Sequence, residues 1–294
     1  MPPELSVIIV NYNTKDDLRN CLASIYASSQ VTKFEIWVVD NHSTDGSAVM
    51  VREMFPQVNL IPSTENLGFA KANNLVLREA YPDFVLLLNP DTIVSDHAFD
   101  ETIDFLKRRP DVGMVTCKLV KADGTLDLAC RRSLPSPLIG LWRAIGLAKL
   151  FPKSRVFARY NLTYLDENEA NEVEAVNGAF MLARGQAVSE VGLLDERFFM
   201  YGEDLDWCCR FREKGWKIYY LPSPAVVHLK GQAGKKQSSR MIRELFRAME
   251  LYCRKHYGPG QNLLGHLATV IGIRLWMFST LLRNAVRSQK RVTP

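Results

Sequence analysis

Two stretches of the sequence carry side chains that could do chemistry, and the first is residues 84–92, FVLLLNPDT. Five apolar residues lead directly into Asn89, Pro90 and Asp91. Aspartate is common in the turn that follows a strand, but a carboxylate at the end of a buried strand can also hold a divalent cation. Asp91 is therefore either a turn former or a ligand, and this stretch alone does not decide between them.

The second stretch is the acidic run GEDLDW, which contains Glu203, Asp204 and Asp206. It begins a segment with helical spacing that ends at Gly215, and three acids at a helix N-terminus are stabilised by the helix dipole alone. The aromatic residues around the run favour a second interpretation. An acid beside aromatic side chains loses water, so its pKa rises and it becomes a better general base.

A histidine follows these acids at the end of the apolar run AVVHLKG. A single histidine is more often structural than a metal ligand. His228, however, comes after both a potential metal-binding aspartate and an acidic cluster. It is therefore also a candidate ligand for a divalent cation.

Strand and helix patterns alternate in the N-terminal part of the chain. The strand patterns are LSVIIVNYN, FEIWVVDN, VNLIPS and FVLLLNPDT, and helical spacing follows each of the first three. Ser43 or Thr44 is the predicted N-cap of the second helix, and a glycine turn opens the third. The strands are apolar throughout rather than alternating, which predicts a mostly parallel sheet covered on both faces.

The predicted strands end on polar residues, namely 11–13, 40–41, 63–66 and 89–91. In open α/β sheets, ligands bind beyond the carboxyl ends of the strands. Neither G-x-G-x-x-G after the first strand nor G-x-x-x-x-G-K-[ST] occurs, so dinucleotide oxidoreductases and P-loop enzymes are disfavoured. A bound diphosphate would need another source of positive charge, and a divalent cation held by carboxylates is the simplest one.

Composition limits the class of protein. With 294 residues, 47% hydrophobic and 23% charged, the chain is long enough for one large domain with an appendage, or for two domains. Its six cysteines lack C-x-x-C spacing, which predicts reduced thiols in a cytosolic setting. No module of interleaved aromatic and basic residues stands out before residue 230, so nucleic-acid binding is disfavoured.

Charge is concentrated at the C-terminus, where residues 230–294 hold 13 Lys and Arg and two Glu. Residues 263–282 are largely apolar but include Arg274, and an arginine at the centre of a spanning helix costs about 2.5–3.5 kcal/mol. An interfacial helix on an anionic membrane surface is therefore the favoured prediction. The alternatives are a solvated basic helix and a helix packed on the rest of the chain or on a second copy of it.

Residues 121–172 are the least informative part of the sequence. They scatter basic residues among apolar ones: Arg131, Arg132, Arg143, Lys149 and Lys153. This pattern fits a loop that meets the diphosphate of a lipid-linked acceptor, and it fits a variable insertion equally well.

Seven stretches together resemble a family 2 glycosyltransferase of the GT-A fold, nearest the rhamnosyltransferase branch. They are SVIIVNYN, VVDNHSTDGS, ENLGFAKANN, LLLNPDT, VNGAFMLA, LDERFFMYGEDLDWCCR and VVHLKG, in the family's order. The resemblance implies an α/β fold in which a mostly parallel central sheet is flanked by helices. Residues 1–232 would form the catalytic domain, with a nucleotide-sugar-binding half (1–95) and an acceptor and catalytic half (96–232). Residues 233–294 would form a basic, partly apolar helical tail.

The resemblance also implies roles for individual residues around the donor. Val10 (through its backbone), Tyr12 and Asp40 would hold the base and ribose of a nucleotide sugar. The loop beneath the nucleotide would be shaped by Asn66, Gly68 and Asn74.

The metal motif and the base are implied in the same way. NPD stands where the family has D-x-D, so Asp91 would bind Mg²⁺ or Mn²⁺ on the diphosphate, and His228 would complete the site. Asn89 departs from D-x-D: it offers a neutral oxygen to the metal or reaches the ribose, which predicts modest metal affinity. Asp204 matches the catalytic base, and Glu203 and Asp206 are the alternatives.

The implied reaction is a single in-line displacement with inversion at the anomeric carbon. The favoured donor is dTDP-L-rhamnose, with UDP-galactofuranose or another UDP-sugar as the alternative. The acceptor would be a glycan or a polyprenyl-diphosphate-linked sugar, used at the cytoplasmic face of the membrane, and self-association of the chain is left open. A catalytically silent nucleotide-sugar-binding scaffold is the alternative from another class, and the presence of the acids, Asp91 and His228 argues against it.

Overall fold

The computed structural model describes residues 3–79, 82–229, 238–258 and 263–286. Its first part alternates strands and helices: β1 (Leu5–Asn11), α1 (Lys15–Ala27), β2 (Phe34–Asp40), α2 (Ser47–Met54), β3 (Asn59–Pro62), α3 (Gly68–Leu77) and β4 (Phe84–Leu88). These four strands pair in parallel. β4 is buried along its whole length, as an apolar strand covered on both faces should be. The predicted α/β fold is confirmed.

The predicted N-cap of the second helix was wrong. α2 begins at Ser47, and the Asp45 carboxylate accepts hydrogen bonds from both the backbone N–H and the hydroxyl of Ser47. Neither Ser43 nor Thr44 is the capping residue, because the chain makes a further turn before the helix starts. Ser43 instead accepts a hydrogen bond from the side chain of Asn11 at the end of β1.

The second part contains β5 (Thr92–Ile93), α4 (Ala98–Arg108), β6 (Val112–Val120), α5 (Pro137–Ala144), α6 (Leu147–Leu150), β7 (Asn171–Glu172), β8 (Phe180–Arg184), α7 (Gly185–Val191), α8 (Glu203–Glu213) and β9 (Lys217–His228). β8 runs antiparallel between β4 and β6, and β9 pairs in parallel with β6 and antiparallel with β5. The described strands follow the order β3-β2-β1-β4-β8-β6-β9-β5, with β7 beside β9. Residues from both predicted halves thus share one sheet.

Two helices follow the sheet, α9 (Ser238–His256) and α10 (Leu263–Val286). They pack against each other through Ile242, Phe246 and Ile273, and Arg274 of α10 pairs with Glu250 of α9 at 2.9 Å. The predicted C-terminal helical extension is confirmed for these segments. Residues 230–237 and 287–294, which carry part of its basic charge, lie outside the described residues.

Candidate active site

A carboxylate and a histidine meet where β5 pairs with β9. Thr92 lies opposite His228 in that pairing, and the backbone N–H of Leu229 donates to the carbonyl of Asp91. As a result, His228 Nε2 lies 3.3 Å from Asp91 Oδ1, and both side chains are nearly buried. The structure therefore brings the two predicted metal ligands together.

A second carboxylate fixes the orientation of this histidine. Asp127 Oδ2 lies 3.0 Å from His228 Nδ1, so Nε2 is the ring nitrogen that faces Asp91. Burial lowers the pKa of His228, but the hydrogen bonds with Asp127 and Asp91 outweigh burial and raise this pKa to about 9. The Asn89 amide nitrogen lies 3.5 Å from the same Nε2 atom.

These side chains fit a divalent cation. Asp91 offers a carboxylate oxygen and His228 offers Nε2, while Asp127 orients the imidazole in the way that outer carboxylates do in metal sites. Asn89 adds a neutral amide and no charge. A nitrogen ligand suits a transition-metal ion such as Mn²⁺ better than Mg²⁺, which is bound mainly through oxygen.

Polar side chains at the ends of β1 and β2 hold one another in place through hydrogen bonds. One carboxylate oxygen of Asp40 accepts from the Asn11 side chain and the other from the backbone N–H of Ser43, each at 3.1 Å. Asp40 is almost fully buried. Val10 and Tyr12, on either side of Asn11, stay partly exposed, so both can contact a bound molecule.

The loop before α3 depends on an asparagine from the end of β2. Asn41 Nδ2 donates to Asn66 Oδ1 and to the carbonyl of Gly68, each at 3.0 Å. Gly68 has a φ of +77°, and a Cβ added there would lie 2.2 Å from the carbonyl oxygen of Phe199. The loop is therefore fixed in shape, and only glycine fits at position 68.

Asn74, predicted to belong to the same loop, has a different set of partners. Its Nδ2 donates to the carbonyl of Leu194 and to the Glu196 carboxylate, and its Oδ1 accepts from the backbone N–H of Leu194. Asn74 thus fastens α3 to the segment that leads into the acidic run. Its influence on a donor would be indirect.

A buried ion pair holds Asp204 in the first turn of α8. Arg132 Nη2 donates to Asp204 Oδ2 at 2.5 Å and to the carbonyl of Val176 at 2.6 Å. The other carboxylate oxygen accepts from the backbone N–H of Leu205. Asp204 is consequently held in one orientation, at the end of the helix where the dipole favours negative charge.

The neighbouring acid, Glu203, is in a different environment. It is buried, and its Oε2 atom has no hydrogen-bond partner among the residues that the structure describes. Burial and the negative charge of Asp204 raise the pKa of Glu203 to about 8. This carboxyl group is therefore mostly protonated at neutral pH.

Asp206 points toward the C-terminal helices. It is fully buried and accepts from Arg210 Nε at 3.0 Å, Lys255 Nζ at 2.7 Å and His256 Nε2 at 2.8 Å. Lys255 and His256 belong to α9, so Asp206 joins α8 to that helix. Because Asp206 is fully buried and joins two helices, a structural role is favoured.

One short loop, residues 127–132, connects the histidine with the acids. Asp127 at its start orients His228, and Arg132 at its end holds Asp204. The edge of the sheet makes a second connection, because the backbone N–H of Asn89 donates to the carbonyl of Ala179. Ala179 is three residues from Val176, the carbonyl that Arg132 binds, and three residues span at most about 11 Å. The Val176 carbonyl, which binds Arg132, therefore lies within about 11 Å of the residue that pairs with the end of β4.

A family model described as glycosyltransferase like family 2 matches residues 2–249, which is most of the chain. The chain belongs to this family. The predicted family and the predicted enzyme class, a glycosyltransferase, are thereby confirmed.

Two curated relatives of this glycosyltransferase are a rhamnosyltransferase and a hexosyltransferase. The N-acetylglucosaminyl-diphospho-decaprenol L-rhamnosyltransferase of Mycobacterium tuberculosis is 29% identical over 253 residues, which cover 82% of this chain and 81% of the relative. The low-salt glycan biosynthesis hexosyltransferase Agl10 of Haloferax volcanii is 28% identical over 232 residues, which cover 78% of this chain and 68% of Agl10.

Solved structures of similar shape confirm the GT-A fold. The mannosyltransferase PcManGT of Pyrobaculum calidifontis, solved with GDP-Man and Mn²⁺, has a TM-score of 0.60 at 20% identity and covers 98% of this chain and 77% of its own. Residues 1–349 of TarS from S. aureus give a TM-score of 0.57 at 16% identity, covering 97% of this chain and 75% of that one.

Two residues of the candidate site did not stand out in the sequence. Asp127 lies in a stretch without a motif, and only the fold brings it to His228. Arg132 was expected either in an acceptor loop or in an insertion, whereas the structure buries it against Asp204. Its neighbour Arg131 is structural, because its guanidinium donates to two backbone carbonyls, those of residues 165 and 166.

Proposed function

We propose that this glycosyltransferase is inverting and metal-dependent. It transfers L-rhamnose from dTDP-L-rhamnose to a hydroxyl of polyprenyl-diphosphate-linked N-acetylglucosamine, in the synthesis of a cell-surface polysaccharide. The observation that supports the chemistry is the 127–132 loop, which ties the Asp91–His228 pair to the buried acids of α8. The choice of sugar and acceptor rests on the similarity to the M. tuberculosis L-rhamnosyltransferase, which extends over most of both chains.

The proposed reaction is one displacement. The acceptor oxygen forms a bond to the anomeric carbon on one face while the bond to the diphosphate oxygen breaks on the other, and the nucleoside diphosphate leaves. Asp91 and His228, with Asn89 beside them, would hold Mg²⁺ or Mn²⁺. A divalent cation bound there stabilises the negative charge of the departing diphosphate.

Asp204 is the proposed general base, and it receives the proton of the acceptor hydroxyl. Its two hydrogen-bonded neighbours, Arg132 and the backbone N–H of Leu205, hold the carboxylate in place before the acceptor arrives. Positioned bases of this kind contribute about 10²–10⁴ in rate. Glu203 is the alternative base, but it must first lose a proton near neutral pH, so Asp204 is favoured.

The nucleotide would bind along the carboxyl ends of β1, β2 and β3. Val10 and Tyr12 are partly exposed there, and Asp40 is held rigidly beside them, as contacts with a base and ribose require. Asn66 and Gly68 shape the loop below. The division into a donor half (1–95) and an acceptor half (96–232) remains part of this proposal.

UDP-sugars are the alternative donors. UDP-sugars, UDP-galactofuranose among them, would meet the same diphosphate site, because the proposed cation at Asp91 and His228 would contact the diphosphate and not the sugar. A panel of donors distinguishes these alternatives directly.

We further propose that the tail lies on the cytoplasmic surface of the membrane. Residues Leu263–Ala285 are long and apolar enough to cross a membrane, and little of this helix is buried. One side of α10 packs on α9, and Arg274 is paired with Glu250 of α9. An apolar stripe remains exposed at spacings of three and four residues: Leu264, Leu267, Ile271, Leu275, Phe278 and Leu282.

A second exposed apolar surface lies on α5 and α6. Leu138, Leu141, Ile145 and Leu150 are all exposed. Tyr257, just after α9, donates through its hydroxyl to the carbonyl of Pro135, just before α5. This hydrogen bond joins the end of α9 to the start of α5, and we propose that a lipid-linked acceptor arrives there.

Vesicle sedimentation tests the membrane proposal. The full chain should sediment with vesicles of anionic phospholipid, and the double substitution Ile271→Glu/Leu275→Glu should release it. Val31→Glu is the matched control, because Val31 is 85% exposed on another surface. If Ile271→Glu/Leu275→Glu sediments like the native protein, the stripe is not the attachment site. If it instead converts a dimer to a monomer, the stripe joins two copies.

The transferase proposal is tested with a panel of donors. The purified protein is incubated with dTDP-L-rhamnose or UDP-sugars and a lipid-linked N-acetylglucosamine acceptor, and release of nucleoside diphosphate is followed with and without EDTA. Release should require dTDP-L-rhamnose and metal and should fail in Asp91→Ala and Asp204→Asn, whereas Asp16→Ala, an exposed control on α1, should behave as the native enzyme. Tight donor binding without turnover on any acceptor would instead indicate a silent binding member.

A further inference from the structure

Three side chains with metal-binding atoms converge where α8 meets the end of α9. Cys209 and Glu213 lie one turn apart on α8, and His256 is the last residue of α9. Cys209 Sγ lies 3.4 Å from His256 Nδ1 and 3.5 Å from Glu213 Oε1, and His256 Nδ1 lies 3.7 Å from Glu213 Oε1. This cluster involves neither Asp91 nor His228.

A carboxylate sets the orientation of His256 from the Nε2 side of the ring, opposite to Cys209. Its Nε2 atom lies 2.8 Å from Oδ1 of the buried Asp206, so Nε2 is the nitrogen that donates to this carboxylate, and in the neutral imidazole the lone pair of Nδ1 faces Cys209 and Glu213. A carboxylate on the far nitrogen of a ligating histidine is the usual outer partner in metal sites. The charge of Asp206 is balanced by Lys255 and Arg210.

The spacing of the three atoms matches a tetrahedral zinc site. Zinc lies about 2.3 Å from sulfur and about 2.0 Å from nitrogen or oxygen, so tetrahedral ligands are about 3.5 Å apart for S···N and S···O and about 3.3 Å apart for N···O. The three observed distances lie within 0.4 Å of these values. Glu213 is 61% exposed, so a water molecule can reach the fourth position.

We propose that Cys209, Glu213 and His256 bind one Zn²⁺ ion at the junction of α8 and α9, separate from the cation of the transfer reaction. On binding, the Cys209 thiol releases its proton to solvent, and the sulfur bonds to zinc. One thiolate and one carboxylate then balance the charge of the ion. A thiolate and an imidazole select zinc over Mg²⁺ and Mn²⁺, which prefer oxygen.

Such an ion would fasten the C-terminal helices to the catalytic helix. α8 carries Glu203 and Asp204 at its start, and Cys209 is six residues further on, about 9 Å along the helix. The role is structural, because none of the three ligands contacts the proposed base.

Cobalt substitution tests this inference without any transferase assay. The metal-free full chain carrying Asp91→Ala and His228→Ala, which removes the other cation site, is titrated with Co²⁺ and followed by absorbance. A cobalt–thiolate charge-transfer band should appear and should disappear on addition of one equivalent of Zn²⁺. Cys209→Ser should abolish the band. Cys253→Ser, on α9 and outside the cluster, should leave it unchanged.

Measurements of Zn²⁺ affinity and of folding in two variants complete the test. Cys209→Ser and His256→Gln should each weaken Zn²⁺ binding by more than the roughly 10–100-fold that the loss of an outer partner costs, with circular dichroism confirming that both variants are folded. The inference is overturned if the folded protein gives no thiolate band, if Cys209→Ser retains the band, or if Zn²⁺ binds both variants as tightly as the native chain. Since no sugar transfer is measured, failure here leaves the transferase proposal standing.

Discussion

Replacing Glu203 by glutamine separates the roles of the two adjacent acids. Glu203 is buried beside Asp204, and burial together with that neighbouring charge raises the pKa of Glu203 from an ordinary 4.5 to about 8. Glutamine has the shape of the protonated acid and cannot ionise. If Asp204 is the base and Glu203 works in its protonated form, Glu203→Gln should keep activity near the native level at pH 7, whereas Asp204→Asn should lose about 10²–10⁴ in kcat.

The same substitution has a predictable effect on stability. Below pH 4.5 both the folded and the unfolded chain hold this proton, so Glu203 makes no pH-dependent contribution. Between pH 4.5 and pH 8 only the folded chain holds it, and the free energy of unfolding falls by up to about 1.4 kcal/mol per pH unit. Glu203→Gln removes this loss.

Denaturant unfolding between pH 5 and pH 9 measures the effect. The stability of Glu203→Gln relative to the native chain should rise steadily with pH and level off above pH 8, while Glu53→Gln, at an exposed position on α2, should show no such trend. A difference independent of pH would refute the raised pKa. Loss of activity in Glu203→Gln as large as in Asp204→Asn, with the fold intact, would move the base to Glu203.

Two further substitutions test the site. Asp127→Asn should weaken Mn²⁺ binding about 10–100-fold, because the imidazole of His228 loses the carboxylate that orients it. Asp123→Asn, at an exposed position in the same segment, should leave Mn²⁺ binding unchanged. Equal Mn²⁺ affinities of the two variants, measured by calorimetry, would contradict the role assigned to Asp127. Gly68→Ala should destabilise the chain by clearly more than Gly124→Ala. Both glycines have positive φ, at a cost of about 1–2 kcal/mol for alanine, but only at Gly68 would the new Cβ strike a backbone carbonyl. Similar unfolding midpoints would rule out that collision.

The N-terminal half of the fold could be predicted because its signals are local. The apolar runs of β1, β2 and β4 form strands that are wholly or mostly buried, and parallel pairing follows from the helices between the runs. The polar strand ends were equally visible, so Asp40 and Asp91 could be named from sequence. The exact start of α2 was missed because the chain makes a further turn after Thr44, in which Asp45 accepts hydrogen bonds from Ser47.

The hydrogen bonds that hold the site residues in place could not be predicted, because they join residues that are far apart in the sequence. Asp127 and His228 are 101 residues apart, and Arg132 and Asp204 are 72 apart. No local pattern marks Asp127 or Arg132, since an aspartate in a loop and an arginine among apolar residues both fit an exposed segment. The acidic run itself was visible, but the different surroundings of Glu203, Asp204 and Asp206 appear only when the loop 127–132 and α9 are in place.

The most direct test of the account is the product of the reaction. Purified protein, dTDP-L-rhamnose, Mn²⁺ and polyprenyl-diphosphate-linked N-acetylglucosamine are combined, and the lipid product is analysed by mass spectrometry and NMR. The account predicts one added deoxyhexosyl group, with anomeric configuration inverted relative to the donor, and no product with Asp204→Asn. Transfer with retained configuration, or release of free rhamnose without transfer to the acceptor, would contradict it.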